Sequence, residues 1–494
     1  MREQRGHFGD THRSLGNCTQ IWRGTRLAQS ESVAQAPRPL TLPPWLVGSL
    51  LTLSLLALVL PANAQSSSWP ALPTDRTLAG LIQESLSARP ELRQALAVAH
   101  AQEERVAQAA AMPDPMLQVG IQNDGFQSIE IGQMPTSFIS FMATQTFPWP
   151  GKRPLREEVA QLGVSQNLKG VTRVRLSTEA EVRRGYLDLV LARDRLALLE
   201  QLRGLWQRSA AFARVKYETG GGAQSDVLRA ELELSRLEQR RFALLARERA
   251  GIQALNRLRS KPLAEAIDTS STHIRDLAAL APLEGVFSVE IALQHSPELA
   301  AARLGTTRAD KALTLANKSY YPDLTVSAGL MYRGQLPPMW LATVGAPVPI
   351  FSGSKQNRAV AENTALLSAA RDETRSIEQL LRLRSEERHA AFMALRQTIE
   401  LYQRALLVQS EATSESSLAQ YRVGKGTFSS VLEANAGLVS DQDGFLESVA
   451  AAQRILIAEV ELNLAPSAMP TLGGSPASAM PGAAPPADGS TSGM

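Results

Sequence analysis

Tyr217-Glu-Thr-Gly220-Gly221-Gly222-Ala-Gln-Ser-Asp226-Val227-Leu228 and Tyr421-Arg-Val-Gly424-Lys-Gly426-Thr-Phe-Ser-Ser430-Val431-Leu432 align without a gap. They are copies of one turn, set about 204 residues apart, and an internal repeat of this kind governs the whole reading. Outward from them the repeat continues in order. Pro90-Glu91-Leu92 matches Pro297-Glu298-Leu299, and Pro113-Asp114 matches Pro322-Asp323. Phe147-Pro148-Trp149-Pro150-Gly151-Lys152 corresponds to Val348-Pro349-Ile350-Phe351-Ser352-Gly353. Each half reads helix, strand, strand, long helix, turn, long helix.

Proline placement marks the long helices. The chain has 28 prolines, yet none falls between Leu155 and Lys261 or between Ile350 and Ala465. A proline inside a helix costs about 3 kcal/mol, so such windows are what long helices require. Phe392, Leu395, Ile399, Tyr402 and Leu406 step by three and four, and Leu438, Phe445, Val449, Leu456 and Val460 by seven and four. These are coiled-coil seams. From strands to turn, each half offers a helix of roughly 65 to 70 residues, on the order of 100 Å at about 1.5 Å per residue.

The strands alternate. Leu117, Val119 and Ile121 interleave with Gln118, Gly120 and Gln122; Leu324, Val326, Ala328, Leu330 and Tyr332 interleave with Thr325, Ser327, Gly329, Met331 and Arg333. Their partners are expected at residues 137–147 and 340–348. Such lengths suit tilted transmembrane strands, with Trp149, Tyr320, Tyr321, Tyr332 and Trp340 placed as an interfacial girdle. A small soluble sheet would alternate in the same way. Four strands cannot close a barrel, and lipid does not tolerate an open edge, so a membrane barrel must be shared between copies of the chain.

Composition narrows the function classes. Among 494 residues there is one cysteine, Cys18, which excludes a disulfide framework, a cysteine zinc site and an iron–sulfur cluster. A formal charge of +3 argues against nucleic acid. His100, His273, His295 and His389 show no paired metal spacing, and no nucleophile motif occurs, so neither an enzyme nor a cofactor is expected. Met112, Met116, Met134 and Met142 could offer soft ligands to Cu(I) or Ag(I), although methionine is more often packing filler. Arginines, the apolar run 45–60 and Ala62-x-Ala64 read as an export signal cut between Ala64 and Gln65. The leader is overlong, which leaves the start codon open. The expected domains are 1–64 signal and leader, 65–284 first repeat, 285–466 second repeat, and 467–494 a disordered Pro/Ala/Gly-rich tail.

A signal peptide, a duplicated strand–strand–long-helix unit and two Tyr-x-x-Gly turns together resemble the TolC family of outer membrane efflux ducts, over roughly residues 81–465. The resemblance implies a mainly α fold with a small β part: a long α-helical coiled-coil barrel continuous with a shared transmembrane β-barrel of four strands per protomer. It also implies a homotrimer in outer membrane lipid, docked onto a periplasmic adaptor (membrane fusion) protein and an inner-membrane efflux pump. The stretch from Thr146 to Arg156, with Pro113-Asp-Pro-Met116, looks like the heavy-metal branch.

By the same resemblance, the two turns form a periplasmic tip that closes the duct and meets the adaptor. Tyr421 matches a tyrosine that holds the tip shut, and Asp226 its hydrogen-bonding partner; Asp226 also reads as a helix N-cap. Ser430 and Glu433 occupy positions where acidic rings line the aperture, and Ser430 departs from that pattern. Glu433 could instead face solvent outside the helix pair. Gly220, Gly221, Gly222, Gly424 and Gly426 permit the sharp reversal, and Val227, Leu228, Val431 and Leu432 are expected to support tip packing and adaptor contact. The alternatives are a periplasmic coiled-coil adaptor or scaffold, which would carry one hairpin between β-rich flanks, and a surface adhesin, which would lack the duplication.

Overall fold

The computed structural model describes residues 75–279 and 287–465. The signal, its cleavage site, the tail and the 284/285 boundary lie outside the described residues. Two short helices open the first half, α1 (Arg76–Ala88) and α2 (Pro90–Ala110). Strands β1 (Met116–Gln122) and β2 (Phe138–Phe147) follow, then helices α3 (Lys152–Glu218) and α4 (Gln224–Leu258). The second half repeats the order with α5 (Val289–His295), α6 (Pro297–Asn317), β3 (Leu324–Tyr332), β4 (Met339–Gly345), α7 (Gln356–Leu401), α8 (Leu407–Arg422) and α9 (Phe428–Glu461). One π-helical turn, Tyr402–Leu406, joins α7 to α8 without breaking the rod.

The local chemistry explains these boundaries. Pro90 and Pro297 stand at the first positions of α2 and α6, where a missing N–H costs nothing. Ser296 accepts from the Leu299 amide at 3.3 Å, capping α6. Helix α4 stops as Ser260 turns left-handed (φ 54°), just before Lys261-Pro262, and α9 stops at Leu462 (φ 55°).

Helix α3 is 67 residues long, and α7, the π turn and α8 (46, 5 and 16 residues) reach the same length. The returning helices do not match them: α4 has 35 residues and α9 has 34. The upper half of each long helix is flanked instead by α2 and α6. The seam residues Phe392, Leu395, Ile399, Leu438, Phe445, Val449 and Leu456 are buried as the stepping requires, and Tyr402, Leu406 and Val460 are half-buried.

Charged residues close the upper end of α9. Glu459, 3% exposed, pairs with the buried Arg388 at 3.2 Å and accepts from Ser385 at 2.7 Å. Glu461 is held between Arg173 and Arg184. Removing one partner of such a pair leaves an uncompensated buried charge, which typically costs about 3–5 kcal/mol.

The four strands form one antiparallel sheet in the order β1-β2-β3-β4. The central pairing, β2 with β3, joins the two repeats, with Ala143 opposite Ala328. Strand β4 ends at Gly345 rather than near residue 348, because Pro347 and Pro349 have no N–H for a ladder. Strands β1 and β4 are both edges of the sheet.

Candidate functional site

At the turn between α3 and α4, Gly220 is left-handed (φ 74°), and at the turn between α8 and α9 Gly424 is left-handed (φ 75°). The amide of Gly221 bonds to the Lys216 carbonyl, and that of Lys425 to the Gln420 carbonyl, both at 2.9 Å. The two turns are therefore the same helix-ending motif. Gly222 and Gly426 serve differently. A Cβ on either would lie 3.2 Å from Lys216 or Gln420, so crowding against the preceding turn, and not a left-handed φ, disfavours a side chain there.

The two tips are not equivalent in packing. Tyr421 is buried against Phe428 (ring centroids 5.2 Å apart), with Val431, Ala213 and Ala230 beside it, whereas Tyr217 is exposed. The Tyr421 hydroxyl donates to Asp226 Oδ2 at 3.3 Å, joining the second hairpin to the first. Burial, and then the Asp226 charge, push the Tyr421 phenol up to about 12. Lys216 adds two contacts: its Nζ donates to the Tyr421 carbonyl at 2.7 Å and lies 4.2 Å from the centre of the Tyr421 ring. Arg422 covers the Phe212 ring at 3.9 Å.

The remaining expected residues fall as follows. Asp226 is not the N-cap of α4; Ala223 holds that position, and Asp226 sits in the first turn, where a carboxylate meets the positive end of the helix. Ser430 is in the first turn of α9, its amide bonded to the capping Thr427 hydroxyl at 3.3 Å. Glu433 is exposed, with Ser429 its neighbour at 3.5 Å. Val431 is buried, Val227 and Leu432 are half-buried, and Leu228 is exposed. Lys216 and Phe428 were not among the expected site residues. In the repeat alignment Gln420 and Gln224 take their places, and that asymmetry is the signal that marks them.

At the other end of α3, the sheet has one apolar and one polar face. Leu117, Val119, Phe141, Leu330, Trp340 and Val344 share a face through the pairings Val119–Phe141, Phe141–Leu330, Leu330–Trp340 and Val326–Val344. That face is outward: Leu117 is 79% and Trp340 77% exposed. The opposite face carries Gln118, Ser140, Thr144, Thr325, Ser327 and Thr343, with Thr144 and Ser327 bonded at 2.9 Å. On the two central strands Phe141, Phe147, Leu324, Val326 and Leu330 are exposed while Ser140, Thr144, Thr325 and Ser327 are half-buried, and on the edge strands both faces are open. An apolar face turned outward is the reverse of a soluble sheet, and it is the pattern of strands that face hydrocarbon.

Below the strands, Lys152 ties the start of α3 to the foot of β3, pairing with Asp323 and donating to the Tyr321 carbonyl, both at 2.7 Å. Trp149 stacks on Tyr321 with centroids 5.3 Å apart. Among the described residues no group of three or more His, Cys, Asp or Glu side chains could hold a metal, and no helix is long and apolar enough to cross a membrane.

Residues 289–465 match the family model described as outer membrane efflux protein. The whole architecture is similar to solved structures. The outer-membrane channel OprN is 17% identical, with TM-score 0.67 over 78% of this chain and 90% of that one. CusC, whose structures concern folding and transmembrane channel formation, is 17% identical, with TM-score 0.67 over 78% of this chain and 92% of that one. The outer membrane protein VceC of Vibrio cholerae is 16% identical, with TM-score 0.66 over 78% and 96%. A comparison with curated proteins finds no match. The chain has the fold of the outer membrane efflux channels.

Proposed function

We propose that this chain is the outer membrane channel of a tripartite efflux system. Three copies assemble into one duct, with twelve strands in the outer membrane and the helices extending through the periplasm. The duct conducts passively what an adaptor and an inner-membrane pump deliver, either heavy-metal cations or small toxic compounds. The observation that carries the reading is the sheet: its apolar face is exposed, neither of its edges pairs with another strand among the described residues, and it stands on a helix of 67 residues. Copies of the chain that pair β1 to β4 close the edges, and lipid covers the apolar face.

A periplasmic adaptor would need β-rich segments flanking a single hairpin. Here the chain has two hairpins, each preceded in sequence by two of the sheet strands, and the sheet lies at the far end of α3 from the turn. The test is extraction from outer membranes in detergent. A trimer that withstands SDS without boiling, and that forms channels in planar bilayers, is the expected result. A monomer released without detergent would refute the proposal.

A further inference from the structure

Six of the seven methionines among the described residues lie in the strands or the segments beside them (Met112, Met116, Met134, Met142, Met331 and Met339), and only Met393 is in a long helix. The strand register places the four strand methionines on one face. Met116 opposes Thr144, Met142 opposes Gln118 and Gly329, and Met331 opposes both Ser140 and Met339. This is the polar face. Apart from Phe138 and Leu341, its other strand residues are Gln, Ser, Thr and Gly. Methionine used as apolar filler belongs on the hydrocarbon side, where Leu117, Val119, Leu330 and Val344 are found, and none of the four is there.

Three of them are neighbours. Met331 and Met339 face each other across β3 and β4, and Met142 on β2 is the diagonal neighbour of Met331, with Gly329 leaving space beside it. Diagonal neighbours on a sheet stand about 7–8 Å apart, within reach of long unbranched side chains. A thioether is a soft, neutral donor that suits monovalent Cu(I) or Ag(I) and not Zn(II), Mg(II) or Mn(II), which take imidazole, carboxylate or water. With no converging His, Cys, Asp or Glu among the described residues, the sheet offers those harder ions no comparable site.

We propose that Met142, Met331 and Met339 form a thioether site for a soft monovalent cation on the inner wall of the duct. The assignment rests on the reading that the polar face lines the pore, and it narrows the cargo to include such cations. Three neutral ligands bind weakly enough to release the ion, as conduction demands.

The experiment titrates the detergent-purified full chain with silver nitrate in chloride-free buffer, beside a Met142→Leu/Met331→Leu/Met339→Leu variant. The remaining methionines supply the same background in both proteins. About one Ag(I) per protomer is expected, with affinity lowered about tenfold or more in the variant and no competition by Zn(II). Equal silver affinity in both proteins, no binding by the wild type, or displacement by Zn(II) would overturn the site. If the triple variant does not assemble, Met331→Leu removes the central thioether and reads the same quantity. Wild-type conductance in a variant that has lost silver binding supports the site and leaves the pore intact. A wild-type protein that conducts but binds no silver refutes the site alone.

Discussion

Tyr421, at the end of α8, donates its hydroxyl to Asp226 in the first turn of α4, 195 residues away, and Lys216 on α3 holds the carbonyl of the same tyrosine. One buried side chain thus links both hairpins at their turns. At 3.3 Å the phenol–carboxylate bond is long, so its loss is worth less than loss of the 2.7 Å ammonium bond.

Tyr421→Phe is expected to weaken the tip by about 1 kcal/mol, and Lys216→Met by more, each raising single-channel conductance without loss of trimer. The phenol titrates near 12, above the ordinary value of 10 that the unfolded chain would have, so its bond is whole below pH about 10 and fails as pH rises toward 12. Conductance of the wild type should climb over that interval, and Tyr421→Phe should lose this part of the rise. Identical pH curves would remove Tyr421 from the latch.

Gly222→Val and Gly426→Val each place atoms against the preceding helical turn, with the first Cβ contact at 3.2 Å. Efflux should be abolished while SDS-resistant trimer persists at normal abundance, because the sheet lies a full long helix away. Full efflux by both variants would count against the tip as the coupling point.

Glu433 is exposed and one helical turn past Ser429. In the proposed trimer, three copies turned toward the axis would form a ring of like charges. Such a ring within about a Debye length focuses the field on the axis. Glu433→Gln should lower cation selectivity and relieve block by trivalent cations added from the periplasmic side. Glu231→Gln, which only releases Arg214 from a 3.1 Å exposed pair, should change neither. Wild-type selectivity and block in Glu433→Gln would place the acid outside the aperture.

The segments after β1 and after β3 meet at one end of the sheet, where Gly132 and Gly334 bring their backbones together. An epitope inserted at Gln127 should be labelled on intact cells and one at Gly221 should not. The reverse pattern would invert the topology.

Glu459→Gln leaves the buried Arg388 with a neutral partner. The cost should be about 3 kcal/mol, seen as a lower melting temperature of the helical signal with the tip unaltered. An unchanged melt would mean that the pair contributes nothing net.

Much of this was legible in the residues. Strand alternation has period two and coiled-coil stepping three and four, so both faces of each element can be read along one segment. The glycine turns are equally local, because a left-handed φ or a crowded Cβ is decided within six residues. The contact of Tyr421 with Asp226 was expected only through the family resemblance, and the hydrogen bond between them is present. The site was hidden where a partner came from another part of the chain, as with Lys216.

The sequence by itself determined the duplication, the two long rods, the four strands and the reversal at Gly220 and Gly424, since each follows from backbone preference and periodic burial within a short window. Tertiary structure alone decided that β2 pairs with β3 and so merges the repeats, and that α4 and α9 stop halfway while α2 and α6 continue the bundle. It also decided that Arg195, Asp443, Glu447, Arg454 and Asp188 form one ionic chain between α3 and α9. The methionines show the division. Met142 could be singled out as a soft donor from its position alone, but its company with Met331 and Met339 depends on strand register. A shift of one residue would have turned a whole strand to the other face, and only the packed sheet fixes that choice.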